Sequence, residues 1–304
     1  MTAPASLPGG FEQTEMYRLL DLACAEAGLD SAGAEVLRGQ TNAVIRLERA
    51  PVVVKIARRG TPVASVARTV AFVRWLTGLG FPTVLLHPGI DQPAVIEGHP
   101  VTYWTYLPQP PQPVQPVRAV QLAGPLRALH GLPAPPFPLR PLDNIAAIRA
   151  SLAAITALPE EALRFLADRA DALEKALTTA EFAFPETVLQ GDPQHRNALH
   201  DAGAVVLCDW DTVAWGRPEW DLTTIEIHCR RFGHGQAHYR AFANAYGFDV
   251  RDLPAYPVLR DIRELRMITT NARKTAHTPG TLAEVRRRIT GLRLEQDDQP
   301  WNIL

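Results

Sequence analysis

Between residues 187 and 211 the chain concentrates side chains that can do chemistry together. The run Gln190-Gly191-Asp192-Pro193-Gln194-His195-Arg196-Asn197 is followed, twelve residues after Asn197, by Asp209, where the apolar Val205-Val206-Leu207-Cys208 passes into Asp209-Trp210-Asp211. An Asp and an Asn five residues apart share one loop, and an Asp at the end of a buried strand has a rigid support. That combination suits phosphoryl transfer, whose transition state needs positioning and charge neutralisation more than covalent help. One carboxylate would orient an acceptor hydroxyl and take its proton, while a carboxylate and an amide oxygen would hold Mg²⁺ against the phosphates. Each residue has a plain structural alternative: Asp192 as a turn residue, Asn197 as a cap, Asp209 as a strand-end cap. The combination, with its spacing, favours the chemical reading.

A cation must meet the phosphates as well. Of 31 basic residues only Lys55, Lys175 and Lys274 are lysine, the rest arginine. Lys55 follows Val52-Val53-Val54, and a lysine in a short apolar strand is costly unless its ammonium finds an anion or its stem reaches water. Lys175 and Lys274 lie on polar helix faces and read as solvated.

The elements that must position these groups follow from periodicity. Residues 11–28 read as an amphipathic helix with Leu19, Leu20, Leu22 and Ala23 on one face. Strand-like runs at Ala34–Leu37, Ala43–Leu47 and Pro51–Ile56 precede a helix over 63–79. Further strands are expected at Pro82–Leu86, Ala94–Ile96 and Val101–Leu107. This order implies a small antiparallel sheet with one helix packed on it. The proline-rich PQPPQPVQP of 108–116 reads as a stiff linker. Beyond it helices are expected at 117–131, 141–156, 159–179, 219–231, 234–246, 254–275 and 281–293, interrupted by the β island of 187–211. The domains expected are thus a β-rich lobe at 1–107, a hinge at 108–116 and a helical lobe at 117–304.

Composition narrows the class. The 304 residues carry a net charge of −1, which implies no nucleic-acid or anionic-membrane partner. Cys24, Cys208 and Cys229 show no CxxC spacing and read as reduced thiols. The first residues have no basic n-region followed by an apolar stretch, and no apolar run is long enough to span a bilayer, so the expected location is cytoplasmic.

TVLQGDPQHRNAL followed by VVLCDWDTVAWGRPEWDL resembles the signature of the aminoglycoside phosphotransferase and choline kinase-like phosphotransferase family: HGD-x-x-x-x-N, a strand ending in D-W or D-F, then a loop and D-L. VVVKIA, FVRWL, VTYWTYLP and LRALHGLP are similar to further family segments, so the resemblance extends over nearly the whole chain. It implies an α+β, two-lobed, protein-kinase-like fold and an ATP-dependent small-molecule kinase. By that resemblance Asp192 is the catalytic base, Asn197 and Asp209 are metal ligands, and Lys55 contacts the α- and β-phosphates. The backbone of Thr105, Tyr106 and Leu107 meets the adenine edge, and the turn from Gly39 to Ala43 covers the phosphates. The implied cofactors are ATP, with GTP as an open alternative, and Mg²⁺. Asp221 looks like the family's Asp that braces the catalytic loop, and His130 reads as a satisfied core histidine.

Three departures stand out. Gln190 replaces the histidine of HGD, Gln194 stands where a histidine is common, and the helix of 63–79 has no acidic residue, with Thr69 near the place of the Glu that would pair with the lysine. The first and last of these, at Gln190 and Thr69, motivate an alternative, a catalytically degenerate nucleotide-binding regulatory protein; a helical interaction scaffold must treat the Asp/Asn/Asp set as coincidence. The expected partner is a small hydroxylated substrate, a sugar, amino alcohol or antibiotic-like acceptor, with oligomeric state open. Between Leu259 and Arg293 nine basic residues face only Asp261, Glu264 and Glu284. If two of them reach the acceptor, a neutral or anionic metabolite is expected over a polycationic aminoglycoside. Trp215, Glu219 and Trp220 are candidates for the acceptor side.

Overall fold

The computed structural model describes residues 11–39, 42–110, 118–275 and 279–304. The chain divides into two compact units, Met1–Gln115 with Leu199–Asp211, and Pro116–Ala198 with Thr212–Leu304. Residues 111–117, which hold most of the expected proline hinge, lie outside the described residues.

In the first unit helix α1 (Gln13–Ala27) precedes strands β1 (Glu35–Arg38), β2 (Ala43–Arg46) and β3 (Val52–Ile56), then helix α2 (Val63–Gly78), β4 (Ala94–Ile96) and β5 (His99–Thr105). The five strands form one antiparallel sheet in the order β1-β2-β3-β5-β4. The period of two in β3 sends Val52, Val54 and Ile56 into a core shared with Met16, Leu19, Leu20 and Ala23 of α1. The helix on that face of the sheet is therefore α1. Leu22, expected on the apolar face of α1, is exposed. The strand expected at Pro82–Leu86 does not form. Its ends make only isolated bridges, Thr83 with Leu207 and Leu86 with Trp104, so this segment crosses between partners instead of extending one ladder.

The second unit contains α3 (Ala119–His130), α4 (Asn144–Ala153), α5 (Glu160–Leu177) and strand β6 (Thr187–Leu189). The chain then enters the hairpin of β7 (Ala198–Asp201) and β8 (Ala204–Leu207). This hairpin, expected with the helical lobe, clusters with the first unit apart from Ala198. It returns through β9 (Ala214–Gly216), which pairs with β6, to α6 (Glu219–Arg231), α7 (Gln236–Tyr246), α8 (Tyr256–Lys274) and α9 (Leu282–Arg293). The core joins α4, α5, α8 and α9 around Leu189, Trp220 and Trp301.

Several basic residues of α8 and α9 are held in ion pairs. Arg260 pairs with Asp261 and Asp297, Arg287 and Arg288 with Glu284, and Arg293 with Glu161. No helix among the described residues is long and apolar enough to cross a membrane.

Candidate active site

Two clusters carry the chemistry-bearing residues, one in each unit. In the first unit, the alternation of β3 puts Lys55 on the face opposite α1, level with Val44 of β2 and Thr102 of β5. Its Nζ donates to Asp209 Oδ1 at 2.9 Å and to Asp211 Oδ2 at 2.7 Å. Asn42 Nδ2 donates to the same Asp211 oxygen at 3.2 Å. Burial works against the ammonium, but the two aspartates outweigh it and hold it above the ordinary lysine value. Asp209 has φ +59°, a left-handed backbone that Asp tolerates better than most residues.

Trp210 anchors this turn. It is fully buried, donates from Nε1 to Thr83 Oγ1 at 2.8 Å, and lies 5.2 Å from the Phe72 ring of α2. Thr69 of α2 donates instead to its own helix, at Ser65 O, 3.4 Å away. The missing helix carboxylate is thus compensated: Lys55 is aimed by two aspartates planted through Trp210.

The adenine-edge expectation is more constrained. Thr105 N–H donates to Leu85 O and Tyr106 N–H to Pro51 O, both at 2.8 Å, so these two donors are already committed. The Leu107 carbonyl accepts from Gln109 Nε2 at 3.0 Å. Gly39 is partly buried, and its neighbours Gln40 and Thr41 lie outside the described residues.

In the second unit, the loop after β6 is held from several sides. The fully buried Asp221, at the start of α6, accepts Gln190 N–H at 2.8 Å and Gly191 N–H at 2.9 Å. His130 bridges Asp221 Oδ2 at 3.1 Å and the Tyr246 hydroxyl at 2.8 Å. Trp220 Nε1 donates to Gly191 O at 2.9 Å. Gln190 Oε1 accepts Asp192 N–H at 2.7 Å, so the glutamine in the histidine's place still supports the loop. Asn197 Nδ2 donates to Asp192 O at 2.9 Å, which leaves the amide oxygen as the group able to meet a cation.

The Asp192 carboxylate accepts from Gln194 Nε2 at 2.9 Å on one oxygen and from Arg263 Nη2 of α8 on the other. Burial alone would raise this carboxyl; the Arg263 guanidinium and the hydrogen bonds overcome it and hold Asp192 below the usual carboxylate range. Arg266, one turn on, donates to Asn144 Oδ1, and burial followed by repulsion from Arg263 pushes it down to about 10. Both guanidiniums lie near the Trp220 ring, at 5.5 and 5.6 Å. Arg263 Nε is buried without a partner. Two guanidiniums beside one carboxylate leave a positive excess in a poorly solvated place.

Glu219 and Trp220, expected on the acceptor side, are buried structural groups. The Glu219 carboxylate accepts Ala183 and Phe184 N–H at 2.6 and 3.0 Å. Trp215 lines an open apolar recess of about 520 Å³ with the segment Ala134–Leu139. The sequence reading missed Asp211 as a partner of Lys55 and Asn42 as a partner of Asp211, and Gln194, Arg263 and Arg266 around Asp192. Asp211 carried a signal, as the second acid of Asp209-Trp210-Asp211; Arg263 carried none beyond its helix, 71 residues from Asp192 in sequence.

An antiparallel sheet unit with a paired strand lysine and a helical unit with a braced Gly-Asp loop define the α+β protein-kinase-like fold. The chain belongs to the phosphotransferase enzyme family, whose model matches residues 33–262. It is a phosphotransferase. Solved structures support the fold. The amicoumacin kinase hAmiN, in complex with AMP-PNP, Ca²⁺ and Ami, is similar with a TM-score of 0.69 at 12% identity, covering 95% of this chain and 98% of its own. The choline kinase LicA from Streptococcus pneumoniae is similar with a TM-score of 0.64 at 13% identity, covering 91% and 99%. The aminoglycoside phosphotransferase APH(3'')-Id from Streptomyces rimosus is similar with a TM-score of 0.59 at 22% identity, covering 83% and 98%. No curated protein sequence matches the chain.

Proposed function

We propose that this kinase uses Mg-ATP and phosphorylates a hydroxylated metabolite that bears an anionic group, in preference to a polycationic aminoglycoside. Asp192 orients the acceptor hydroxyl and takes its proton; a carboxylate held low suits a loose transition state, where the proton moves late. Lys55 meets the phosphates. Leu107, with the backbone of Thr105 and Tyr106, borders the adenine, and the turn at Gly39 covers the phosphates. Asn197 and Asp209 would hold Mg²⁺. The fit is supported by the donor set, oxygen only, and by the Lys55 cluster, where two carboxylates face one ammonium and leave a net negative charge. Mg²⁺, when bound, offsets the charge on the phosphates.

The acceptor class rests on one observation: Arg263 occupies an oxygen of Asp192 while Arg266 stands beside it with an amide as its hydrogen-bond partner. A carboxylate or phosphate on the acceptor would draw the Arg263 guanidinium toward itself and free that Asp192 oxygen for the hydroxyl. A polycation would meet two guanidiniums at close range. The test is a phosphate-transfer screen in which hydroxy acids and sugar phosphates are compared with choline-like and aminoglycoside acceptors. Turnover is expected with an anionic acceptor, and Asp192→Ala is expected to lower kcat by about 10²–10⁴-fold while ATP binding persists. Efficient, selective phosphorylation of a kanamycin-like acceptor overturns the acceptor assignment. Unchanged turnover in Asp192→Ala overturns the role of Asp192.

A further inference from the structure

In the second unit three imidazoles that phosphoryl transfer does not use lie together. The His195 ring stacks on His234 at 4.4 Å and 22°, and His234 on His238 at 5.1 Å and 19°. One ring nitrogen from each residue lies within 4.8 Å of the others. His195 Nε2 and His238 Nε2 are 3.2 Å apart. The protonation pattern follows from the neighbours. Ala119 N–H donates to His238 Nε2 at 2.9 Å, so this nitrogen carries a lone pair. His195 Nε2 must then supply the proton of the shared contact, and its Nδ1 keeps a lone pair. That Nδ1 is buried and has no partner. A buried acceptor left unmatched is costly unless something occupies it.

We infer that His195, His234 and His238 form a binding site for a divalent first-row transition ion of the Zn²⁺ type, separate from the Mg²⁺ that serves ATP. Three imidazoles with a fourth position open to water are a common zinc set, and imidazole suits zinc, copper and nickel, whereas Mg²⁺ takes oxygen ligands. His195 and His238 stand on firm supports, the 3-10 turn His195–Asn197 and helix α7. His234 is exposed and sits between Gly233 and Gly235, both at positive φ, so it can swing to complete the set. Arg118 is the charged side chain that acts on His238; it is exposed, and water screens it. An ion held here ties the turn bearing Asn197 to the corner between α6 and α7, and so couples transition-metal supply to the order of the catalytic loop. The site stands on its own geometry and does not depend on the acceptor class.

The test uses untagged full-length protein titrated with Zn²⁺ in a large excess of Mg²⁺, followed by calorimetry and thermal melting. One Zn²⁺ per chain is expected, with a melting temperature that rises with Zn²⁺ and falls back on chelation. His234→Ala, at an exposed position, and His238→Ala should each weaken Zn²⁺ binding at least tenfold, since loss of even an outer-shell partner costs about 10–100-fold. Asp209→Ala should leave Zn²⁺ binding intact. Absence of saturable Zn²⁺ binding in the presence of Mg²⁺, or binding that survives in both histidine variants, overturns the site.

Discussion

The Lys55 ammonium is held by Asp209 and Asp211, which are 154 and 156 residues away in sequence. A lysine buried in a strand without such partners would lose its proton or leave the interior; with them it stays charged over the whole working range. The two aspartates also keep it in place before nucleotide arrives. Replacing Lys55 with Ala should therefore lower kcat/KM by about 10²–10³-fold, the range for removing one preorganised donor to a developing negative charge. Asp209→Ala should instead abolish the effect of Mg²⁺ on ATP affinity. Steady-state kinetics and nucleotide titrations with and without Mg²⁺ check both. A Lys55→Ala enzyme of normal kcat/KM contradicts the phosphate-binding role.

At the scale of elements, the loop after β6 depends on a close approach that only glycine permits. Gly191 sits at φ +84°, and a Cβ built there would lie 2.2 Å from the carbonyl oxygen of Thr212. Its N–H and C=O are both engaged, by Asp221 and Trp220. Gly191→Ala should therefore destabilise the protein by about 2–4 kcal/mol, through backbone strain and a clash with main chain that cannot turn aside. Denaturant unfolding measures the loss, and a change below about 0.5 kcal/mol would show that the loop relaxes freely. The start of α6 thus serves two purposes: its Asp221 carboxylate fixes two loop amides, and its Trp220 indole fixes the carbonyl that follows.

At the scale of the molecule, the second unit closes on a charged knot. Glu284 of α9 accepts from Arg287 at 2.8 Å, Arg288 at 2.9 Å and the Asn302 N–H at 3.0 Å. Trp301 packs beneath Arg231 and Arg288, at 4.8 and 4.5 Å. Arg231 in turn makes a buried two-point pair with Glu264. Burial would raise the Glu284 carboxyl, but the arginines and the backbone donor bring it down to about 2 from 4.5. A carboxylate held low in the folded state and ordinary in the unfolded state contributes its full stability above the unfolded value; that contribution is lost as pH falls through the folded one. Stability from this group should therefore decline between pH 4.5 and about 2. Glu284→Gln should be less stable than the parent near neutral pH, with the gap narrowing on acidification. Melting curves from about pH 6 to about pH 3 test this, and a gap independent of pH contradicts the ionic origin.

The sequence alone determined most of the strands and helices, because periods of two and 3.6 are local properties that neighbouring residues enforce. Spacing likewise placed Asp192 and Asn197 on one loop and Asp209 just past a strand end, because these placements are local. It could not determine that the segment around Thr83 bridges two partners and forms no strand of its own, nor that β9 pairs with β6, because such pairings close over distant chain. Tertiary structure decided which charges meet. Arg263 looked like any basic residue of a helix until packing set α8 beside Asp192, and Asp211 gained its role when Trp210 sank beside Phe72. Of the three histidines only His234 and His238 share a short spacing; His195 joins them because a turn, a loop and a helix are brought together. Long-range ion pairs and ligand sets are chosen by the packing of whole elements, which burial drives and local sequence does not encode.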